Sequence, residues 1–191
     1  MKERNIALIG FRATGKSTVG EILARDLDME FIDMDKRLTS DAGRDIATWV
    51  KQEGWDSFRK AESGLLDLIS LQNGLVVATG GGIVLDARSR SVLREQFFTV
   101  WLKTAPETIY ARLTSDPESA QTRPPLSELP MEDEIRKVLC EREPLYALAA
   151  HVEIDTEEKG AARIASEIAA LFRKIRGGGP KTPDPGAGMP Q

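Results

Sequence analysis

Cysteine and histidine are almost absent from this chain of 191 residues, which contains one of each, Cys140 and His151. A single cysteine excludes an intramolecular disulfide and a zinc site built on several cysteines. A single histidine excludes a pair of histidine metal ligands and disfavours histidine as the acid or base of a reaction. We therefore expect acid–base chemistry to depend on carboxylates, in a reducing compartment.

The sequence also lacks long apolar runs and clusters of basic residues. Its first apolar run, residues 6–9, is too short for the core of a signal peptide, and no stretch approaches the length of a membrane span. The net charge is −4, with acidic and basic residues mixed along the chain, whereas nucleic-acid binders usually carry a basic patch. We expect a cytoplasmic protein without a nucleic-acid or membrane partner, which holds anionic ligands with a few placed cations.

Short apolar runs alternate with segments of helical periodicity along most of the chain. The predicted strands are residues 6–9, 31–32, 75–78, 97–102 and 152–154. The predicted helices are residues 16–27, 36–72 with breaks at Gly43 and Gly54, 86–95, 106–115, 132–143 ending at Pro144, and 159–176. This alternation predicts parallel βαβ units in a doubly wound α/β sheet. The length suits one domain, residues 1–176, and residues 177–191, rich in Gly and Pro, are predicted to be a disordered tail.

Residues 10–17, GFRATGKS, match the phosphate-binding pattern G-x-x-x-x-G-K-[ST] at every fixed position. The motif lies between a predicted strand and a predicted helix, so backbone N–H groups and the helix N-terminus would surround a phosphate. In such a loop Lys16 bridges the β- and γ-phosphates, and the Ser17 hydroxyl ligates Mg²⁺. No Asn-Lys-x-Asp string is present to recognise guanine. The sequence therefore favours a small kinase over a GTPase.

Asp33 and Asp35 follow the second predicted strand, two residues apart, at the edge where open α/β sheets bind ligands. One carboxylate near Mg²⁺ and one near an acceptor hydroxyl would suit phosphoryl transfer. An acidic N-terminus of the following helix explains the same pair equally well. Arg59 and Arg142, each on a predicted helix, could likewise be ordinary surface cations. Residues 80–82, three glycines after a buried strand, indicate a close approach of a ligand to the backbone.

Taken together and in order, these features resemble the shikimate kinase family. The resemblance rests on the phosphate loop, Asp33-x-Asp35, Phe58-Arg59-x-x-Glu62, Gly80-Gly81-Gly82, Arg123-Pro124 and Arg142-x-Pro144-x-Tyr146, and it extends over about residues 5–175. It implies a nucleoside-monophosphate-kinase-like P-loop fold with a five-stranded parallel sheet. It also implies an acceptor-binding region at about residues 34–63, a lid at about residues 113–129, and a monomer.

The resemblance further implies that γ-phosphate moves from Mg-ATP to the 3-hydroxyl of shikimate. The implied catalytic residues are Lys16, Asp35 and Arg123. The implied substrate-binding residues are Asp35, Arg59, Gly80, Gly81, Gly82 and Arg142, with the arginines on the carboxylate of shikimate. The implied nucleotide-binding residues are Ala13, Thr14, Gly15, Lys16, Ser17, Thr18, Arg112, Arg123 and Asp155, and the implied Mg²⁺ ligands are Ser17 and Asp33.

Two positions depart from the family pattern. Ala13 stands where the family usually has glycine, and the lid reads Arg-Pro-Pro-Leu instead of Arg-Pro-Leu-Leu. Three alternatives also remain open: a gluconate kinase, a nucleotide kinase, or a regulatory module that binds nucleotide without catalysis. The triple glycine and the Arg142-x-Pro144-x-Tyr146 motif favour shikimate. A regulatory module could lose Asp35, Arg123 or an acceptor arginine, and the presence of all of them disfavours that alternative.

Overall fold

The computed structural model describes residues 5–115 and 126–177. Its strands are β1 (Asn5–Ile9), β2 (Glu30–Asp33), β3 (Leu75–Ala78), β4 (Phe97–Lys103) and β5 (Val152–Asp155). All four pairings are parallel, and the strand order is β2-β3-β1-β4-β5. The predicted five-stranded parallel sheet is confirmed.

Seven α-helices flank this sheet in the described part of the chain. They are α1 (Lys16–Leu27), α2 (Met34–Ala42), α3 (Ile46–Ser70), α4 (Ala87–Gln96), α5 (Pro106–Ser115), α6 (Met131–Ala149) and α7 (Ala161–Gly177). A short 3-10 turn, Ile83–Leu85, follows β3. The tail predicted from residue 177 lies outside the described residues apart from its first position.

The core has two layers because the central strands are apolar on both faces. On one face, α1 and α7 pack against side chains such as Ile6, Leu8 and Val100. On the other face, α3, α4 and α6 pack against side chains such as Ile9 and Val77. Successive side chains of a strand point to opposite faces of the sheet, so an uninterrupted apolar strand is buried on both faces. Because the strands are parallel, the carboxyl ends of all five lie at one edge of the sheet.

Two glycines end helical segments in the region before β3, as the sequence predicts. Gly43 caps α2 with φ 63°, and Gly54 interrupts α3 with φ 81° and ψ 168°. Positive φ values of this kind are strained for residues with a side chain. The break at Gly54 redirects the rest of α3, which carries Phe58, Arg59 and Glu62.

The prediction that a helix ends at Pro144 is wrong, because α6 continues through this residue to Ala149. Proline costs the helix one hydrogen bond, to the carbonyl of residue 140, and adds a steric conflict there. Cys140 is exposed, so water can solvate that carbonyl. Beyond the proline, Tyr146 and Ala149 are fully buried. Their packing against the sheet outweighs the local cost.

Within the described residues, no helix combines the length and apolar character needed to cross a membrane.

Candidate active site

The phosphate loop is a tight turn between β1 and α1, and three of its residues have positive φ. Gly10 has φ 141° and Gly15, which caps α1, has φ 91°. A Cβ at Gly10 would also lie within 3.0 Å of the carbonyl oxygen of Leu102. Ala13 has φ 61°, so its position takes the left-handed conformation that glycine adopts without strain. The loop therefore keeps the conformation that glycine favours at this position, with backbone strain at Ala13.

The side chain of Lys16 lies over this loop and is almost completely buried. Its Nζ donates to the carbonyls of Gly10 at 2.9 Å and of Phe11 at 2.6 Å. Thr14 Oγ1 donates to the same Phe11 carbonyl at 2.9 Å. These bonds hold the ammonium group beside the backbone N–H groups that face a phosphate in loops of this kind.

Ser17 and Asp33 bring two side-chain oxygens together at the start of α1 and the end of β2. Ser17 Oγ donates to Asp33 Oδ2 at 2.6 Å, while Asp33 Oδ1 accepts from the backbone N–H of Lys36 at 3.1 Å. Asp33 thus caps α2 and also faces the phosphate loop. A hydroxyl and a carboxylate beside a phosphate site form an all-oxygen donor set, which fits Mg²⁺ with its waters and phosphate ligands.

All six predicted acceptor-site residues lie around one pocket. Its lining includes Lys16, Asp35, Arg59, Gly80, Gly81, Gly82 and Arg142, together with Phe11, Arg12, Ile46, Trp55, Phe58, Glu62 and Leu126. Four of these side chains are basic and two are acidic. A pocket with this excess of positive charge suits a small anion with polar substituents.

Glu62 is buried beneath this pocket and pairs with Arg59. Burial raises the pKa of Glu62 above its ordinary value, and Asp35 adds to this effect, whereas Arg59 and Arg142 oppose it. Its second oxygen, Oε1, has no hydrogen-bond partner among the described residues. A Cβ at Gly80 would lie 2.9 Å from Asp35 Oδ1 and closer still to Glu62 Oε1. A side chain at position 80 would therefore force one or both carboxylates to move.

Arg59 is held in place by an ion pair and by two aromatic rings. Besides the pair with Glu62, its guanidinium carbon lies 4.9 Å from the ring centroid of Trp55 and 5.4 Å from that of Phe58. Cation–π contacts of this kind orient a guanidinium without blocking its N–H groups. A Cβ at Gly82 would lie within 3.0 Å of this guanidinium, so the glycine leaves room for the arginine.

Arg142 approaches the pocket from α6. Its Nη1 donates to the carbonyl of Gly81 at 3.1 Å. Burial lowers the pKa of the Arg142 guanidinium below its ordinary value; Tyr146 counters this effect, and repulsion from Arg59 adds to it. Two cations that repel each other in a partly buried pocket are stabilised by an anion between them. The same burial raises the pKa of Tyr146 to about 12.

A second pocket is lined by other residues of the phosphate loop and by residues of α1, α5 and α7. Its lining includes the predicted nucleotide-binding residues Ala13, Thr14, Gly15, Thr18 and Arg112, and also Thr156 and Lys159. Arg112 Nη1 donates to the carbonyl of Ala13 at 3.0 Å. Asp155 is exposed, and its Oδ1 accepts from the backbone N–H of Glu157 at 2.8 Å. Asp155, predicted to line the nucleotide site, is not among the residues that line this pocket, whereas the next residue, Thr156, is.

Arg123 and residues 116–125 of the predicted lid lie outside the described residues.

The sequence did not indicate every side chain at these pockets. Glu62 and Tyr146 belong to motifs quoted from the sequence, but no role follows from their pattern alone. Nothing in the sequence marked Arg12 or Trp55 as a pocket residue. Arg12 is a variable position of the phosphate-loop pattern, and Trp55 only follows the helix break at Gly54.

Comparison with known proteins identifies the family. The family model for shikimate kinase matches residues 12–173. A shikimate kinase of Nitratidesulfovibrio vulgaris is 46% identical over 167 residues, which cover 87% of this chain and 94% of that protein. A shikimate kinase 2 of Enterobacter sp. is 40% identical over 166 residues, covering 87% and 94%. The structure of a shikimate kinase from Acinetobacter baumannii in complex with shikimate has a TM-score of 0.85 at 33% identity, covering 91% of this chain and 95% of that one. With its parallel sheet, phosphate loop and cationic pocket, the chain belongs to the shikimate kinase family.

Proposed function

We propose that this chain transfers the γ-phosphate of ATP to the 3-hydroxyl of shikimate and forms shikimate 3-phosphate for aromatic amino acid synthesis. One observation carries the proposal. Lys16, Asp35, Arg59, Arg142 and residues 80–82 line a single pocket beside the phosphate loop. That pocket combines cations for a carboxylate, a carboxylate for a hydroxyl and open backbone for a ring, which is what shikimate requires.

The carboxylate of shikimate is proposed to bind between Arg59 and Arg142. A guanidinium donates two parallel N–H groups to a carboxylate, which fixes both position and orientation. Arg59 is oriented by Glu62 and Trp55, and Arg142 by the Gly81 carbonyl. The bound anion would also relieve the repulsion between the two arginines.

Asp35 is proposed to hold the acceptor hydroxyl and to take up its proton. Asp35 lies in the first turn of α2, whose cap is Asp33, and its Oδ1 would lie 2.9 Å from a Cβ at Gly80. A positioned carboxylate in this role contributes by orientation and by general base catalysis. With one proton accepted, the 3-oxygen attacks the γ-phosphorus and ADP leaves.

The nucleotide is proposed to lie across the phosphate loop, with its base in the pocket lined by Arg112 and Thr156. Lys16 would contact the β- and γ-phosphates, and Ser17 with Asp33 would hold Mg²⁺. When bound, Mg²⁺ would neutralise part of the charge on the phosphates. Asp155 would support this pocket indirectly, because its Oδ1 accepts from the backbone N–H of Glu157 in the turn that contains Thr156.

We further propose that the chain acts as a monomer in the cytoplasm, with shikimate and ATP as its partners. The mixed charge and net value of −4 support a protein that binds small anions at one site and has no general affinity for nucleic acid.

The test is to measure ADP release from Mg-ATP with shikimate, quinate, gluconate and AMP in parallel. A Lys16→Met preparation controls for contaminating kinases, because it removes the cation at the transferred phosphate. Turnover confined to shikimate is the expected result. Turnover only on gluconate or AMP would overturn the acceptor assignment and leave the nucleotide site intact. ATP binding without turnover on any acceptor would support the regulatory alternative.

A further inference from the structure

Glu134, in the first turn of α6, is a buried carboxylate whose partners all lie outside its own helix. Its side chain is 2% exposed. Oε1 accepts from the Arg12 guanidinium, and Oε2 accepts from the backbone N–H groups of Leu126 and Ser127, each at 2.7 Å. The Ser127 hydroxyl donates to Oε2 as well, at 3.3 Å. Both oxygens are therefore satisfied by two other segments of the chain.

These bonds join parts of the molecule that are far apart in sequence. Arg12, in the phosphate loop, precedes Glu134 by 122 residues. Arg12 and Leu126 both line the acceptor pocket. The carboxylate thus fixes one cation and one apolar wall of that pocket at the same time, from behind.

A role confined to helix stability does not account for this arrangement. A carboxylate that stabilises a helix N-terminus needs only the charge of the first turn or its N–H groups. Glu132 and Asp133 already supply that charge. Glu134 instead accepts hydrogen bonds from Arg12 and from the backbone of residues 126–127. A buried carboxylate is unfavourable unless it has such partners.

We propose that Glu134 is a positioning residue for the acceptor: it holds Arg12 and the Leu126 wall in register with the pocket, and Arg12 acts there as a third cation toward the anionic substrate. The proposal rests on the function proposed above. An arginine side chain has many rotamers, so a fixed carboxylate partner lowers the entropy lost when a ligand binds. The phosphate-loop N–H groups do not depend on Glu134, so the effect should fall on the acceptor more than on the nucleotide.

The first experiment is Glu134→Gln in the full chain, with steady-state kinetics for both substrates. The glutamine keeps the shape but turns an NH₂ group toward either Arg12 or the two backbone N–H groups. We expect the KM for shikimate to rise about tenfold or more, the size of a lost charged hydrogen bond, with the dissociation constant of ADP changed less than about threefold. Glu132→Gln, an exposed neighbour in the same turn, is the matched control and should leave both values unchanged.

Arg12→Met makes the test independent of how well Glu134→Gln folds. It should raise the KM for shikimate by a similar factor, and the double variant should add little to either single change, since the two residues act as a pair. Additive effects, or an unchanged KM with only a lower melting temperature in Glu134→Gln, would overturn the proposal. If the unmodified protein does not turn over shikimate, the proposed function itself fails. If the unmodified protein turns over shikimate and both single variants have the same KM for shikimate as it has, only the positioning role fails.

Discussion

The hydroxyl of Tyr146 donates a 2.6 Å hydrogen bond to the carbonyl of Gly81, which also accepts from Arg142. Arg142 and Tyr146 lie four residues apart on one face of α6, so they reach the same point. The tyrosine ring is fully buried and stacks on Trp101 at 5.7 Å between centroids. The helix thus fixes the glycine loop and the substrate-facing arginine relative to each other.

Tyr146→Phe should weaken shikimate binding at a modest cost in stability. The Gly81 carbonyl keeps Arg142 as a donor, so we expect the free energy of unfolding to fall by only about 1 kcal/mol. The KM for shikimate should rise severalfold because the loop and Arg142 lose a common anchor. Chemical denaturation and steady-state kinetics measure the two effects. Tyr110→Phe, at the exposed second tyrosine, is the control, and an unchanged KM in Tyr146→Phe would remove the anchor from the mechanism.

Asp35→Asn should separate catalysis from nucleotide binding. The amide keeps the size of the carboxylate but cannot take up a proton, so kcat should fall by at least about 100-fold. Equilibrium titration with ADP should show affinity close to that of the unmodified protein. Asp41→Asn, at an exposed pair with Arg37 in the same helix, should have normal kcat. Loss of nucleotide binding in Asp35→Asn would assign Asp35 to the metal or to the fold instead.

Gly82→Ala should impair the acceptor site without unfolding the chain. Gly82 has φ −103°, which alanine adopts readily, but the new methyl group would occupy the space of the Arg59 guanidinium. Because that group is the end of a flexible side chain, it can move aside. We expect the KM for shikimate to rise by about 10- to 100-fold, as for lost charged hydrogen bonds.

Gly64→Ala is the matched control for this substitution. Gly64 lies within α3, and a Cβ there meets no atom within 4 Å. Alanine should raise the free energy of unfolding by about 0.5–1 kcal/mol, because glycine is the weaker helix former. Its KM should stay normal. A normal KM in Gly82→Ala as well would show that Arg59 tolerates the crowding or does not bind the carboxylate.

Glu62 should make the stability of the protein depend on pH in a direction opposite to that of most surface carboxylates. Burial raises its pKa above the ordinary value of 4.5, so the folded state binds this proton more tightly than the unfolded state does. The stabilisation is complete below pH 4.5 and is lost as the pH rises through the raised pKa. Relative to Glu62→Gln, the unmodified protein should therefore lose unfolding free energy from pH 4.5 upward. Urea unfolding of both proteins at several pH values measures this change. A rise in the unfolding free energy of the unmodified protein relative to Glu62→Gln with increasing pH would contradict it.

Because Ala13 is strained, its replacement by glycine should change the stability of the protein little, whereas replacement by valine should lower it strongly. Ala13→Gly relieves about 1 kcal/mol of left-handed strain but costs about 0.4–1 kcal/mol, because glycine gives the unfolded chain more entropy. Stability should therefore rise by no more than about 0.6 kcal/mol. Ala13→Val should destabilise the protein by about 2 kcal/mol or more, because a branched side chain fits φ 61° poorly. Thermal unfolding with and without ADP measures both. Equal stability of the valine variant would show that the loop changes conformation.

Local signals in the sequence predicted the sheet and the phosphate loop. Short, mostly apolar runs of two to six residues predicted the strands, and residues 10–17 form a turn with a recognisable phosphate-binding pattern. Gly43 and Gly54 ended helical segments where predicted, since their positive φ depends on no distant partner. At Pro144 the local signal was wrong, because burial of Tyr146 in the core outweighs one missing hydrogen bond.

The sequence by itself determined the fold class, the phosphate site and, through its spaced motifs, the family. Only the tertiary structure decided which distant groups face one another: Glu62 beside Gly80, Tyr146 on Gly81, and Glu134 on Arg12. The reason is physical. Periodicity and turn chemistry act between residues a few positions apart, whereas the pairing of a buried charge depends on which strands and helices the folded chain brings together.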